Sequence, residues 1–200
     1  MRVAGGTAGR LRQARDTRSR ILVASLRLFA REGYDRTAIR SIAREAGITD
    51  PTLYHHFRSK REIFRALLRP PAVGALEAPG TPGSAAAASA AVVAALMHWY
   101  TEPDLLRLVI AQCLDDDPDA VAFSRAMAGA FSARLESLLR AVCGEAAPLA
   151  ARAISSCAAG VLIDAMIEHG AEFPAFAASA AFHESLDSIA RLILDAWVEA

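Results

Sequence analysis

Cysteine is scarce in this 200-residue chain: Cys113, Cys143 and Cys157 are an odd number and form no CxxC pair. That pattern points away from a disulfide framework and away from a zinc site, and it suits a reducing compartment. No apolar tract is long enough to span a bilayer, which takes roughly 20 residues; the longest, Ala85 to Met97, is mostly alanine and is interrupted by Ser89. The basic N-terminal stretch lacks the apolar core of a secretory signal. Nothing alternates apolar and polar residues in the manner of a strand. Aromatic residues make up only 6% of the chain, and lysine occurs once, at Lys60. The expectation is a soluble, cytoplasmic protein with no membrane segment.

What the chain does have is apolar content, 54% of residues, and helical spacing almost throughout. The fold expected is therefore all-α. The formal net charge of zero conceals a division. Residues 1–70 hold 16 basic against 6 acidic side chains, net +10; residues 71–200 hold 6 against 16, net −10. A basic concentration of that size in one third of a chain is the electrostatic signature of a polyanion partner.

The spacing divides the chain into a Gly- and Arg-rich arm without periodicity (1–15), a basic helical domain (16–69), a Pro/Gly-rich linker (70–83) and a larger helical domain (84–200). In the basic domain, Asp16 or Thr17 caps a first helix with inward residues Ile21, Ala24, Ser25, Leu28 and Phe29, stopped at Gly33. Thr37 caps a short second helix bearing Ile39, Ile42, Ala43 and Ala46, closed at Gly47. Thr49 or Asp50 caps a third, with Pro51 in its first turn and Leu53 and Phe57 facing in. Ser59 caps a fourth, with Ile63, Leu67 and Phe64 inward, and Pro70-Pro71 ends it. Five further helices are expected at about 84–101, 103–115, 118–143, 146–169 and 178–199. The acidic run Asp115–Asp117 before Pro118 reads as a solvated joining loop.

Two short helices joined by a tight glycine turn form a helix-turn-helix, whose second helix enters the DNA major groove. With Leu53 and Phe57 inward, Asp50, Pro51, Thr52 and His55 become candidates for base edges. Tyr54 and His56 fall at the groove walls, where phosphates lie, and Lys60 adds charge at a helix start. Arg40 is placed for the backbone or a guanine edge. Adjacent His55 and His56 point about 100° apart on a helix and cannot readily share a metal ion, so no metal site is expected.

The run TRSRILVASLRLFAREGYDRTAIRSIAREAGITDPTLYHHFRSKREIF, residues 17–64, resembles the N-terminal DNA-binding domain of the TetR family of bacterial transcriptional regulators. That resemblance implies an all-α homodimer with a C-terminal domain that binds a small molecule and releases the protein from an inverted-repeat operator. Carried over by position, Arg40, Asp50, Pro51, Thr52 and His55 match base-reading positions, and Tyr54, His56 and Lys60 match phosphate-holding ones. Two departures stand out. Ala38 occupies a position where many members contact phosphate through Thr or Ser, so that contact is either missing or taken up by Thr37; Thr49, beside the turn, is a further DNA-binding candidate. The usually continuous fourth helix is cut at Pro70-Pro71.

In the second domain, Trp99, Phe123, Met127 and Phe131 are candidates for lining a pocket for a small apolar or amphipathic effector, with core packing as the plainer reading. Val161, Leu162, Leu186, Ile189, Ile193 and Trp197 lie on helices apolar on more than one side, as a four-helix dimer interface requires. No Ser/His/Asp or Cys/His arrangement at recognisable spacing supports an enzyme, and no cofactor motif occurs. The function expected is a ligand-released transcriptional repressor, the alternative being a dimeric DNA-binding regulator with no effector.

Overall fold

The computed structural model describes residues 4–68, 103–177 and 179–198, with helical residues at 87–88, 90–92 and 94. Among these residues every regular element is helical. In order they are α1 (Ala4–Glu32), α2 (Ile39–Glu45), α3 (Asp50–His56), α4 (Lys60–Leu67), α5 (Pro103–Leu114), α6 (Pro118–Cys143), α7 (Ala147–His169), α8 (Phe173–Ala177) and α9 (Ala180–Val198). Short 3-10 turns at Gly144–Ala146 and Gly170–Glu172 separate α6 from α7 and α7 from α8.

The chain divides into two compact units, and the division is interleaved. The first unit takes Met1–Arg69 and also Asp104–Val121; the second takes Pro70–Pro103 and Ala122–Ala200. The sequence-based boundary assigned 104–121 to the C-terminal domain. It belongs to the N-terminal unit because Arg61 and Arg65 of α4 pair with Asp117 and Asp119. Asp117 is therefore not the solvated loop residue expected, since its side chain is only 11% exposed. The proposed linker at 70–83 lies outside the described residues.

In the first unit, Ile21, Ala24, Leu28 and Phe29 of α1 meet Ile42, Ala43, Leu53, Phe57, Ile63 and Phe64, all buried. These are the i, i+3, i+4, i+7 positions expected of amphipathic helices. Leu67 departs from expectation: it is half-buried, while Phe64 and Leu68 face in. The helix start also differs, because α1 begins at Ala4 and so runs through most of the stretch read as an arm. The Gly- and Arg-rich sequence there has no apolar period to announce it.

In the second unit, α7 buries Ala147, Ala150, Ala151, Ile154, Ala158, Leu162 and Ala165, and packs along α9, which presents Phe182, Leu186, Ala190 and Leu194 in an i, i+4 row. Small residues on one helix against branched and aromatic ones on the other allow close approach. By length and composition the stretch Pro118–His169 could cross a membrane, with mean hydropathy 1.5 over one 18-residue window. The 3-10 turn with Gly144 at φ 54° divides it in two, and the buried residues of α7 pack along α9 while Leu149, Ile163 and Ile167 are exposed.

Candidate nucleic-acid interface

The turn between α2 and α3 sets the recognition helix. Gly47 takes φ +65°, and a Cβ there would come within 2.9 Å of the Arg20 guanidinium. Arg20, from α1, donates to the carbonyls of Ala46 and, at 3.3 Å, of Gly47, so the turn is stapled to the first helix. A bare backbone and a left-handed φ are both needed at this one position.

Thr49 caps α3: its hydroxyl accepts from the Thr52 backbone N–H at 3.4 Å and shares a 2.9 Å hydrogen bond with the Thr52 hydroxyl. Pro51 stands in the first turn, where its missing N–H costs nothing. Leu53 and Phe57 are fully buried. By exclusion of the inward face, Asp50, Pro51, Tyr54 and His55 are exposed and Thr52 and His56 half-exposed, so the structure brings these candidates together on the outer side of one short helix. Arg40 is exposed on α2.

His56 has its pKa lowered from the ordinary 6.5, first by burial, then by the neighbouring His55 and by Arg18. Arg18 lies with its guanidinium carbon 4.6 Å from the centroid of the Phe57 ring. Such a cation–π contact holds the positive charge against the buried ring.

Two candidates are placed otherwise than expected. Thr37 is 2% exposed, and its hydroxyl donates inward to the carbonyls of Gly33 at 2.8 Å and Leu28 at 3.4 Å. It neither caps α2 nor reaches solvent; the N-cap is Ala38, which offers no side-chain bond. Lys60 spends its three N–H donors on the carbonyls of Tyr34 (2.7 Å), Asp35 (3.0 Å) and Thr37 (3.2 Å), with its ammonium 4.5 Å from the Tyr34 ring centroid. It ties the α1–α2 turn to the start of α4. That start is built by Ser59, which accepts from Glu62 N–H at 3.1 Å, while the Glu62 carboxylate accepts from Arg58 N–H at 2.7 Å.

The candidates of the second unit divide similarly. Leu162 and Leu186 are buried within the unit, so they are core rather than interface. Val161, Ile189 and Ile193 are half-buried, and the exposed apolar side chains are Ile163, Ile167 and Leu192. Met127 is buried between half-buried Phe123 and Phe131 on one side of α6. Trp99 and the side chain of Trp197 lie outside the described residues. Among the described residues no group of three or more His, Cys, Asp or Glu could hold a metal ion, and Cys113, Cys143 and Cys157 form no disulfide with one another.

A glycine-turn pair of short helices stapled to a third is a helix-turn-helix, the arrangement whose second helix enters the major groove in DNA-binding proteins. Residues 21–67 match the family described as "Bacterial regulatory proteins, tetR family". The N-terminal helical region thus carries a domain like that of the TetR family. The chain is 33% identical over 117 residues to the HTH-type transcriptional repressor Rv1474c of Mycobacterium tuberculosis, covering 56% of each chain. The chain thus spans about half the length of that relative, and its match to the regulator AcrR of Shigella flexneri spans 24%. The fold extends further: a transcriptional regulator from Rhodococcus sp. Rha1 superposes with TM-score 0.68 at 19% identity over 90% of this chain and 97% of that one. SmeT in complex with triclosan superposes with TM-score 0.61 at 22% identity, over 92% and 90%.

Proposed function

We propose that the protein is a sequence-specific transcriptional repressor acting in the cytoplasm as a homodimer on an inverted-repeat operator, from which a small apolar or amphipathic molecule releases it. The observation that carries this reading is α3 itself. Its inward residues are fully buried and its N-terminus capped, so Asp50, Pro51, Thr52, Tyr54 and His55 are held at fixed positions on a rigid helix of a basic domain. Thr52 brings a hydroxyl and a methyl, and His55 a donor, to base edges. Tyr54 and His56 fall at the flanking phosphates, as does Arg40 from α2.

Exposed Ile163, Ile167 and Leu192, with half-buried Val161, Ile189 and Ile193, favour a partner on the outer sides of α7 and α9. The triclosan complex of SmeT supports an apolar effector here, with Phe123, Met127 and Phe131 on one side of α6 as lining.

Selection of bound sequences from a random duplex pool by the purified protein tests the reading. An inverted repeat with half-sites about one helical turn apart, or a multiple, is the expected outcome. Thr52→Ala and His55→Ala should relax base preference within each half-site by about 1–3 kcal/mol of discrimination. Recovery of no motif overturns it.

A further inference from the structure

Helix α1 starts at Ala4, and among those of its residues whose side chains are described, 14–20 include none that is buried. Its first residue described as buried is Ile21. Residues 4–20 carry Arg10, Arg12, Arg15, Arg18 and Arg20 against a single acid, Asp16, and include Gly5, Gly6 and Gly9, which favour no helix. From Arg18 back to Ala4 the axis extends about 20 Å at 1.5 Å per residue. Helix propensity does not explain so basic an extension.

Its arginines do not all do the same thing. Arg20 is turned to the α2–α3 turn, where the carbonyls of Ala46 and Gly47 accept from it. Arg18 rests on Phe57, the residue that closes α3, and its charge reaches His56. It therefore stands at the C-terminal edge of the recognition helix, continuous with the proposed DNA face. Arg15, exposed and three residues earlier, follows on the same side of α1. The contact with Phe57 places the Arg18 guanidinium beside the end of α3, within reach of a phosphate at that edge.

We propose that Arg15 and Arg18 bind backbone phosphates of the DNA flanking each half-site, outside the base pairs that α3 reads, with the α1 extension lying along the duplex. This rests on the DNA-binding reading above. It adds contacts that carry no sequence information and lengthen the footprint.

The experiment compares two duplexes bearing the same selected inverted repeat, one trimmed at its edges and one with about ten further base pairs on each side. For the wild type, the longer duplex should bind more tightly and with the steeper dependence of log K on log salt. In the Arg15→Gln/Arg18→Gln double variant the slope on the long duplex should fall by roughly 0.9 per lost phosphate contact, so by about 4 for a dimer. On the trimmed duplex the two proteins should match. Arg15→Lys/Arg18→Lys, which keeps the charges, should restore most of the long-duplex slope, and circular dichroism of each variant reports its helix content. An unchanged slope in the Gln variant overturns the proposal, as does a loss that lysine does not restore or one equally large on the trimmed duplex. A wild type that selects no sequence overturns the functional reading instead.

Discussion

Arg61, the second residue of α4, and Asp117, the residue before α6, lie 56 positions apart and meet in a two-pronged ion pair. The same carboxylate accepts from the backbone N–H groups of Asp119 and Ala120, each at 3.0 Å, so it caps α6 while it holds α4. Arg61 and Arg65 both reach Asp119, Arg65 through Nε at 2.7 Å. Burial alone would push the Asp117 carboxyl up, but Arg61 and the two N–H donors outweigh it and hold the pKa below the ordinary 3.8. For Asp119 the Arg65 bond is the leading cause of a shift in the same direction.

A carboxyl whose folded pKa is depressed contributes stability that is complete above its ordinary value and is lost as pH falls through the folded value. Acid unfolding of the wild type should therefore steepen below about pH 4. Asp117→Ala removes a cap and leaves Arg61 without its main acceptor, which should cost about 1–3 kcal/mol at neutral pH. Denaturant titrations at pH 7 and pH 3 check both points. A variant as destabilised at pH 3 as at pH 7 contradicts the linkage.

Lys60 presents the opposite case, a charge expected on DNA and found at home. Because three carbonyls occupy its three donors, Lys60→Met should lower the stability of the first unit by about 1–3 kcal/mol through the unpaired acceptors it leaves. Its salt slope for DNA should stay within a few tenths of the wild type. A slope lower by about 1 with unchanged stability would return Lys60 to the phosphate backbone.

With His56 at a phosphate, as proposed, its depressed pKa would give DNA binding a pH dependence. Burial, His55 and Arg18 all disfavour the imidazolium in the free protein, whereas a phosphate beside the ring favours it. DNA binding should then take up a proton, and affinity should rise as pH falls from above 6.5 through the lowered value. Free-protein stability moves the other way, since a depressed pKa means protonation favours the unfolded chain. His56→Gln should flatten the affinity profile, measured by anisotropy between about pH 5.5 and 8. A profile equally steep in that variant assigns the proton to another group.

How much of this was legible depended on which physical signal each residue leaves. Leu53 and Phe57, Ile21 and Leu28, and the caps Thr49 and Ser59 came from helical period and capping chemistry, because local rules decide them. Thr37 was misplaced because a threonine before a helix looks like a cap whether its hydroxyl turns outward or, as here, down onto Gly33. Lys60, Arg20 and Asp117 could not be resolved from the chain alone. Their partners lie 23 to 56 residues away, and a basic or acidic side chain carries no mark of which distant carbonyl or carboxylate it meets. Likewise Leu186 and Ile189 look alike in a doubly apolar helix, and only packing makes the first core and leaves the second half-exposed.

That distinction sharpens the test of the dimer. Ile167, 78% exposed, and Leu192, 73% exposed, contribute nothing to the core of their own unit. Ile167→Asp and Leu192→Asp should therefore leave the monomer's fold intact while placing an unpaired charge in the proposed interface. Sedimentation should show monomers with much reduced operator affinity, because one recognition helix reads one half-site. Dimers that persist in the double variant place the interface on another surface.

The remaining prediction concerns the sequence Pro70-Pro71, a pairing that disfavours a helix running through it. A lever needs an unbroken helix, and α4 ends at Leu67. The Arg61–Asp117 pair ties α4 to the start of α6 within the first unit. If that tie rather than the 70–83 segment conveys a ligand's effect, extending the segment should matter little. Four Gly/Ser residues inserted after Gly80 should change operator affinity by about threefold or less, since four added residues cost only tenths of a kcal/mol in chain entropy. Asp117→Asn, by contrast, should reduce the coupling between effector and DNA while leaving each able to bind alone, because it weakens the joint and touches neither site. Anisotropy titrations with and without effector measure both. Loss of ligand response in the insertion variant, with DNA binding intact, would make the 70–83 segment the transmitting element and reduce the Arg61–Asp117 pair to a brace.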